Sequence, residues 1–570
     1  MVYTGGNYPR SPYPSGPPLI VQRPKTLIDA IQSNAPIDFI SSFVQANPQS
    51  VHEEGFNGLK PLHKTVLLGN QLATEFLLRH GADPNCTNNF NETPLLLACR
   101  LGFPGVVHYL LQNGADLNST DKVGRGALQY AALGGSVVMI HYLHTAHGLS
   151  LNANDNKGNA MLHVTSTQGH ADATAYLLRK QRSNIYATNE GGYTALHCAA
   201  QSGLLGTCWL LMEKGGTKLV GMLTREGYSA ADLAKKGTNL RHESVYKMLS
   251  QYSSRPPNQE IKGPVWLWHW HYMMPVVLYL TTLQISVHTN GQLMAVGMGL
   301  ILFLCAQQKH RLKHNCRWPN PSYAGMFAAG LLITTVCYIH LVLPITLVVQ
   351  PLLAYCSMVL IILKCSMYIH LLWLDPGVQR CGKLKDNGEE ITIADIAKKI
   401  HPLNAYCTAC EFVQESFTKH CKLCMRCHIG MDHHCLFLYK CIAQNNHRYF
   451  LRFIMTVMLA ISLFEYQAVI YLGKLYPAAV NAPTDYVVQI FEENPWICSL
   501  MVANAASLLW GILLIRFQLK FIAVGTTQYF QLSIKRKSEL TTCQKIRNAL
   551  NFLMGKRFYA KDTETGVLLL

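Results

Sequence analysis

Polar and apolar positions divide this chain near residue 260. Before that point, short apolar clusters alternate with Gly, Asn, Asp and His. After it come long apolar stretches, of the roughly 20 residues that an α-helix needs to cross a bilayer. Six are expected, at 266–285, 292–308, 323–344, 347–372, 450–473 and 494–518, with a cysteine-rich segment between the fourth and the fifth. Trp266, Trp268 and Trp270 open the first stretch and read as interface anchors. The pattern predicts an all-α protein. A flexible N-terminus (1–25) precedes a helical region (26–250) and a linker (251–263). Membrane helices one to four follow (264–372), then the cysteine-rich domain (373–449), helices five and six (450–518) and a tail (519–570).

The polar half repeats itself. Lys60-Pro61-Leu62-His63, Thr93-Pro94-Leu95-Leu96, Gly126-Ala127-Leu128-Gln129, Ala160-Met161-Leu162-His163, Thr194-Ala195-Leu196-His197 and Ser229-Ala230-Ala231-Asp232 stand in register at a spacing of 33 to 35 residues. That period is the one of ankyrin repeats. Between them, His80-Gly81-Ala82-Asp83-Pro84-Asn85 and Asn113-Gly114-Ala115-Asp116-Leu117-Asn118 supply a glycine helix stop and an Asp-led turn. A single unit cannot bury its apolar face, so six or seven stack into a curved solenoid whose concave surface suits another protein. Residues 26–50, with Leu27, Ile28, Ile31 and Phe39, read as an irregular capping repeat. His63, His163 and His197 recur at one repeat position and read as turn braces rather than ligands.

Charge and cysteine content refine this picture. The net charge of +17 admits nucleic acid or an anionic membrane surface as partner. Much of the excess lies beside apolar stretches, at Lys309, Arg311, Lys313 and Arg317 and at Lys535, Arg536 and Lys537, where membrane topology accounts for it. No groove-reading motif accompanies the charge, so no nucleic-acid partner is expected. The loop 473–495 carries Lys474 as its one Lys or Arg, and an even number of spans then puts the repeats, the cysteine-rich segment and the tail together on the cytoplasmic side. Nineteen cysteines do not signal disulfides, since residues 1–24 lack the apolar core of a signal peptide. Seven of them fall between Cys407 and Cys441, interleaved with histidines, as a metal site would be.

Within that segment, Cys407/Cys410, Cys421/Cys424 and Cys424/Cys427 have the two-residue spacer that lets two thiolates grip one ion. Closed structural sites take four ligands, so two zinc ions would use eight of the eleven Cys and His residues between Cys407 and Cys441. Cys435 follows directly on Asp432, His433 and His434. A thiol acts as a nucleophile when ionised, and an imidazole steadied by a carboxylate is a common way to ionise it near neutral pH. Spacing alone leaves open which histidine is base and which is ligand, and whether Cys435 is itself a ligand.

The segment resembles the DHHC cysteine-rich domain of protein palmitoyltransferases. Repeats, four spans, this domain and two further spans are similar in order to the ankyrin-bearing, huntingtin-interacting subgroup. The resemblance implies that Cys407, Cys410, His420 and Cys427 hold one structural zinc, and Cys421, Cys424, His434 and Cys441 a second. It makes Cys435 the acylated nucleophile, His433 its general base and Asp432 the carboxylate that orients His433, and leaves His428 without a role. Palmitoyl-CoA would be the co-substrate, membrane lipid the surroundings, the repeats the surface that recruits protein substrates, and Golgi-type endomembranes the location. Asp375-Pro376-Gly377, Asn446 and Phe450 match lesser motifs of the family. Departures are Leu436-Phe437 for Pro-Trp, Lys440 for Asn, Ala443 for Gly, and Thr526-Thr527-Gln528-Tyr529 without the closing Glu. They frame the rival reading, a membrane-bound ankyrin scaffold with weak or lost activity. An ankyrin-bearing ion channel is more remote, because 473–495 holds no filter-like sequence.

Overall fold

A computed structural model describes residues 24–179, 182–261, 265–288, 320–385, 388–398, 405–476, 489–527, 530 and 541–555. Among them, fourteen short helices run from α1 (Leu27–Gln32) to α14 (Leu240–Ser253). The recurrent motif explains why each first helix forms. In α5 (Pro94–Leu101) the Thr93 side chain accepts the Leu96 N–H as N-cap, Pro94 occupies the first turn where no N–H is needed, and Gly102 stops the helix at φ 76°. The inward residues Leu96, Leu110, Ile140 and Leu177 are wholly buried.

The turns are closed by short acidic and amide side chains. Asp83 accepts the Asn85 N–H at 2.9 Å and Asp116 that of Asn118 at 2.9 Å. In the loops before the motif, Asn88, Asp121, Asp155 and Asn189 each accept two backbone N–H groups, so the period that marks the helix starts also marks these loops. His63 Nδ1 accepts the Lys60 N–H at 3.2 Å while its Nε2 reaches the Glu92 carbonyl at 3.0 Å. His163 repeats the arrangement with Ala160 and Tyr193 at 3.1 and 3.0 Å. Both are turn braces, as expected, and burial lowers both pKa values.

The chain parts into two compact units, one running through Ser202 and the other holding the last repeat helices, the apolar helices and the cysteine-rich segment. The apolar part of the second comprises α15 (Val265–His288), α16 (Ser322–Val349) and α17 (Pro351–Trp373), then, after the short α18 (Ile393–Ala397) and the cysteine-rich segment, α19 (His447–Leu475) and α20 (Pro495–Val524). A last helix, α21 (Thr542–Leu553), lies in the tail. Helices α16, α17, α19 and α20 are long and apolar enough to cross a membrane. α15 is less apolar, because its first two turns carry Trp266, Trp268, His269, Trp270, His271 and Tyr272. The stretch expected at 292–308 lies outside the described residues, as do the basic clusters at 309–317 and 535–537. Four spans, rather than the expected six, are therefore met among the described residues.

Proline marks the breaks. Pro351 opens α17 and Pro495 opens α20. Inside α16, Pro344 supplies no N–H to the turn before it, and Tyr338–Val342 widen there into a π-helical turn. Polar pairs join the apolar helices where no water competes: Ser357 donates to Gln467 at 3.1 Å, and Tyr279 and Ser499 share a bond at 2.8 Å. Gly325 lets α15 and α16 touch, since a Cβ there would lie 2.0 Å from the Tyr272 carbonyl oxygen.

The all-α expectation needs one correction. The cysteine-rich segment contains three two-stranded antiparallel hairpins: β1 (Tyr406–Cys407) with β2 (Phe412–Val413), β3 (Thr418–Cys421) with β4 (Arg426–Ile429), and β5 (His433–Cys435) with β6 (Lys440–Ile442). In the first two hairpins the second cysteine of each pair, Cys410 and Cys424, sits in the turn that reverses the chain. Glu411 and Met425, each just after the second cysteine of a pair, take left-handed conformations at φ 64° and 55° to close the turn.

Candidate active site and metal centres

The first two hairpins are built alike. The Cys410 N–H points at Cys407 Sγ and the Cys424 N–H at Cys421 Sγ, both at 3.4 Å. β3 then carries His420 and β4 Cys427 in direct register across the second hairpin. Cys407, Cys410, His420 and Cys427 thereby offer one set of ligand atoms within 4.8 Å of one another, and Cys421, Cys424, His434 and Cys441 a second. Within the sets, Cys410 Sγ lies 3.3 Å from His420 Nδ1 and 3.5 Å from Cys427 Sγ. Cys424 Sγ lies 3.3 Å from both His434 Nδ1 and Cys441 Sγ. Bonds of about 2.0–2.3 Å to zinc give tetrahedral edges of roughly 3.3–3.8 Å, so the donor chemistry and the spacing both fit a closed zinc site. Mutual hydrogen bonds among the thiols hold Cys407 and Cys421 well below the ordinary thiol range and push their partners Cys427, Cys424 and Cys441 above it.

β5 continues from the second set and turns its other residues the opposite way. His433 Nδ1 meets Asp432 Oδ2 at 2.6 Å, and the Cys435 thiol lies near enough to the same imidazole to act on its charge. With Nδ1 engaged, Nε2 is the nitrogen left for sulfur. Burial pulls the His433 pKa down, but the Asp432 carboxylate and Cys435 outweigh it and push it up to about 10. Cys435 is buried and lines a cavity of about 290 Å³ together with Phe327, Phe453, Ile454, Trp510 and Leu514. The wall is apolar apart from the reactive end.

The lesser motifs act as braces. Asp375 accepts the Gly377 N–H at 2.9 Å, and the Gly377 carbonyl accepts the Ile429 N–H of β4 at 2.9 Å. Asn446 accepts the Ala443 N–H at 2.8 Å and donates to the Cys441 carbonyl at 2.9 Å. Thr527 donates to the carbonyl of Met431, just before Asp432, at 2.8 Å. Gln528 and Tyr529 lie outside the described residues. His428 is buried in β4, and neither ring nitrogen has a hydrogen-bond partner among the described residues.

Two departures acquire partners that spacing does not disclose. Lys440 Nζ donates to the Leu372 carbonyl at 2.6 Å and to that of Leu371 at 3.5 Å, capping the end of α17. Tyr439 sits at φ 53° at the tip of the last hairpin, and its hydroxyl accepts from Trp268 Nε1 at 3.0 Å. Trp268 also stacks on Tyr272 at 5.6 Å, so of the three tryptophans read as interface anchors this one faces the hairpin. Phe437 turns toward the cavity and packs on Trp510 at 5.0 Å. Sequence reasoning missed Gln518 of α20, which donates to the Asp432 carboxylate, and His447 of α19, which bonds the Gln518 side-chain oxygen. Their only signal was a polar side chain at either end of an apolar stretch.

Comparison with known proteins agrees with the order of these parts. The DHHC palmitoyltransferase family matches residues 400–535, and ankyrin repeats match 27–121 and 128–222. The chain therefore carries a DHHC palmitoyltransferase domain. Ankyrin repeats precede it, which makes it similar to the ankyrin-bearing palmitoyltransferases. Palmitoyltransferase AKR1 of Mortierella alpina is 25% identical over 31% of this chain and 33% of its own length. Palmitoyltransferase akr1 of Emericella nidulans is 29% identical over 38% and 28%, and palmitoyltransferase ZDHHC17 of Danio rerio 27% identical over 31% and 29%. The matches thus span about a third or less of these curated relatives. Among solved structures, the human ASB11 ankyrin repeat domain matches 40% of this chain and 98% of its own, at 23% identity and a TM-score of 0.34.

Proposed function

We propose that this chain is an integral-membrane protein S-acyltransferase that moves a palmitoyl group from palmitoyl-CoA to cysteine thiols of other proteins through an acyl-Cys435 intermediate. The observation that carries the reading is the Asp432–His433–Cys435 constellation, whose His433 and Cys435 line an apolar cavity between membrane-type helices. His433 Nε2 takes the Cys435 proton, and the resulting thiolate attacks the thioester carbonyl. The C–S bond to coenzyme A breaks, and the departing sulfur takes the proton from His433. A substrate cysteine then gives its proton to His433 and attacks the acyl-enzyme, and Cys435 leaves as thiolate to be reprotonated. Asp432 keeps the His433 ring aligned and stabilises the imidazolium. The cavity suits the hydrocarbon chain, because each buried methylene contributes about 0.8 kcal/mol.

In this reading Cys407, Cys410, His420 and Cys427 hold one zinc and Cys421, Cys424, His434 and Cys441 the other. Both are structural, since four filled positions leave no open site for a bound water. Bound zinc would pin the hairpins that set β5 in place. α15 and the stretch at 292–308 complete six spans, an even number that keeps repeats, cysteine-rich domain and tail in the cytoplasm. The repeats recruit protein substrates, and Golgi-type endomembranes are the location.

The test is hydroxylamine-sensitive labelling of the purified protein by alkyne-tagged palmitoyl-CoA, comparing wild type with Cys435→Ser at matched zinc content. Label on the wild type alone is expected. No label on either protein, with two zinc ions retained in each, would replace the enzyme by an ankyrin scaffold.

A further inference from the structure

Asp432 is held by more than His433. The carboxylate is 1% exposed, and its Oδ2 accepts at 2.6 Å from His433 Nδ1 and at 2.9 Å from Gln518 Nε2. A carboxylate only accepts, so Gln518 must present its NH₂ to it. The amide oxygen then points away, where it meets His447 Nε2 at 2.9 Å. An amide oxygen also only accepts, so His447 carries its proton on Nε2. Each assignment forces the next: His447 N–H to Gln518 oxygen, Gln518 N–H to Asp432, and His433 N–H to the same carboxylate oxygen. His447 and Gln518 are 0% and 1% exposed, so solvent has little access to stand in for either partner.

The placement is costly unless it is used. A buried amide in an apolar helix is tolerated when its hydrogen bonds are met, and here they are met by the reactive centre itself. With His447 removed, the Gln518 oxygen loses its donor, and the Asp432 carboxylate alone is left to hold the amide in its donating orientation. With Gln518 removed, the Asp432 carboxylate loses one of the bonds that orient it, and the His433 ring is held less firmly.

We propose that Gln518 is a positioning residue for Asp432, His433 and Cys435, and that His447 locks its amide in the donating orientation. This rests on the acyl-transfer reading above, and the test keeps the two separable. Full-length protein in detergent is compared with Gln518→Met, which keeps length and loses both bonds, Gln518→Glu, which keeps shape but faces Asp432 with an acceptor, and His447→Phe. Zinc content is measured for each. Two rates are followed: single-turnover acylation of Cys435 by palmitoyl-CoA, and alkylation of Cys435 by iodoacetamide, read by peptide mass spectrometry, which needs no acyl transfer. With two zinc ions retained, Gln518→Met should slow both rates about tenfold, the order of magnitude for losing a hydrogen bond to a charged acceptor. The palmitoyl-CoA concentration at half-maximal rate should not change. Gln518→Glu should be slower still although it is nearest in shape, and the double variant Gln518→Met with His447→Phe should be no slower than Gln518→Met alone. Wild-type alkylation in Gln518→Met overturns the proposal, and so does joint loss of zinc and reactivity in the Met and Glu variants, which marks a packing role. If wild type takes up no acyl group while Gln518→Met still slows alkylation, the positioning role stands and the acyl-transfer reading falls.

Discussion

Replacing Lys440 with methionine isolates a contact made by a residue at which the DHHC pattern usually has Asn. Methionine keeps an unbranched apolar stem and removes the ammonium, which donates at 2.6 Å to the Leu372 carbonyl and at 3.5 Å to that of Leu371. Those carbonyls end α17 and have no partner further along the helix. A hydrogen bond from a charged donor contributes about 1.5–3 kcal/mol, and a cation at a helix C-terminus about 0.3–1 kcal/mol. Lys440 is only half-buried, and solvent screens part of this, so the lower end, about 1.5 kcal/mol, is the working figure. The ammonium ties the tip of the β5–β6 hairpin to α17, so its loss should raise local opening of that tip about tenfold, at roughly 1.4 kcal/mol per factor of ten. Hydrogen–deuterium exchange of the whole protein in detergent reads this directly. Amides from Cys435 to Lys440 should exchange about tenfold faster in Lys440→Met, while those of α5 in the repeats stay unchanged. Unchanged exchange at the tip would refute the capping argument, and equal acceleration in α5 would show a global loss of stability instead.

Two further predictions follow from other parts of the structure. In Gly325→Val the added Cβ would fall 2.0 Å from the Tyr272 carbonyl oxygen, forcing α15 and α16 apart at a cost on the order of 2–3 kcal/mol, seen as a lower thermal midpoint in detergent; a wild-type midpoint would count against the close approach. The repeat array should lose stability as pH falls below about 6.5, the ordinary histidine value. Burial lowers the pKa of His63 and His163, so the unfolded chain takes up these protons first and folding is disfavoured from about pH 6.5 down through the lowered folded values. The urea midpoint of the solenoid should fall over that range in wild type and fall less in His63→Gln, and equal slopes in the two proteins would remove the histidines as the cause.

The legible parts of this protein were those written within short windows. Repeat helices announce themselves because the cap, the first-turn proline and the stopping glycine all lie within about ten residues, as from Thr93 to Gly102. The apolar helices were legible for the same reason, with α16, α17, α19 and α20 near their expected bounds, because crossing a bilayer sets a length and a composition. The hairpins of the cysteine-rich segment were not, since two-residue strands carry no periodicity of their own.

Spacing by itself determined that the Cys407–Cys441 segment could form metal-binding knuckles and that a thiol followed two histidines and an aspartate. It left open which histidine does what, and there a family resemblance, rather than the chain's own pattern, supplied an assignment. Tertiary structure decided the geometry: His434 turns into a thiol set, His433 turns onto Asp432, and His428 is buried with neither. It also decided the support around that geometry. Gln518 reaches Asp432 across 86 residues of sequence and Trp268 reaches Tyr439 across 171. Contacts over such separations depend on how whole helices pack, and a side chain's neighbours in the chain hold little information about which distant surface it will meet.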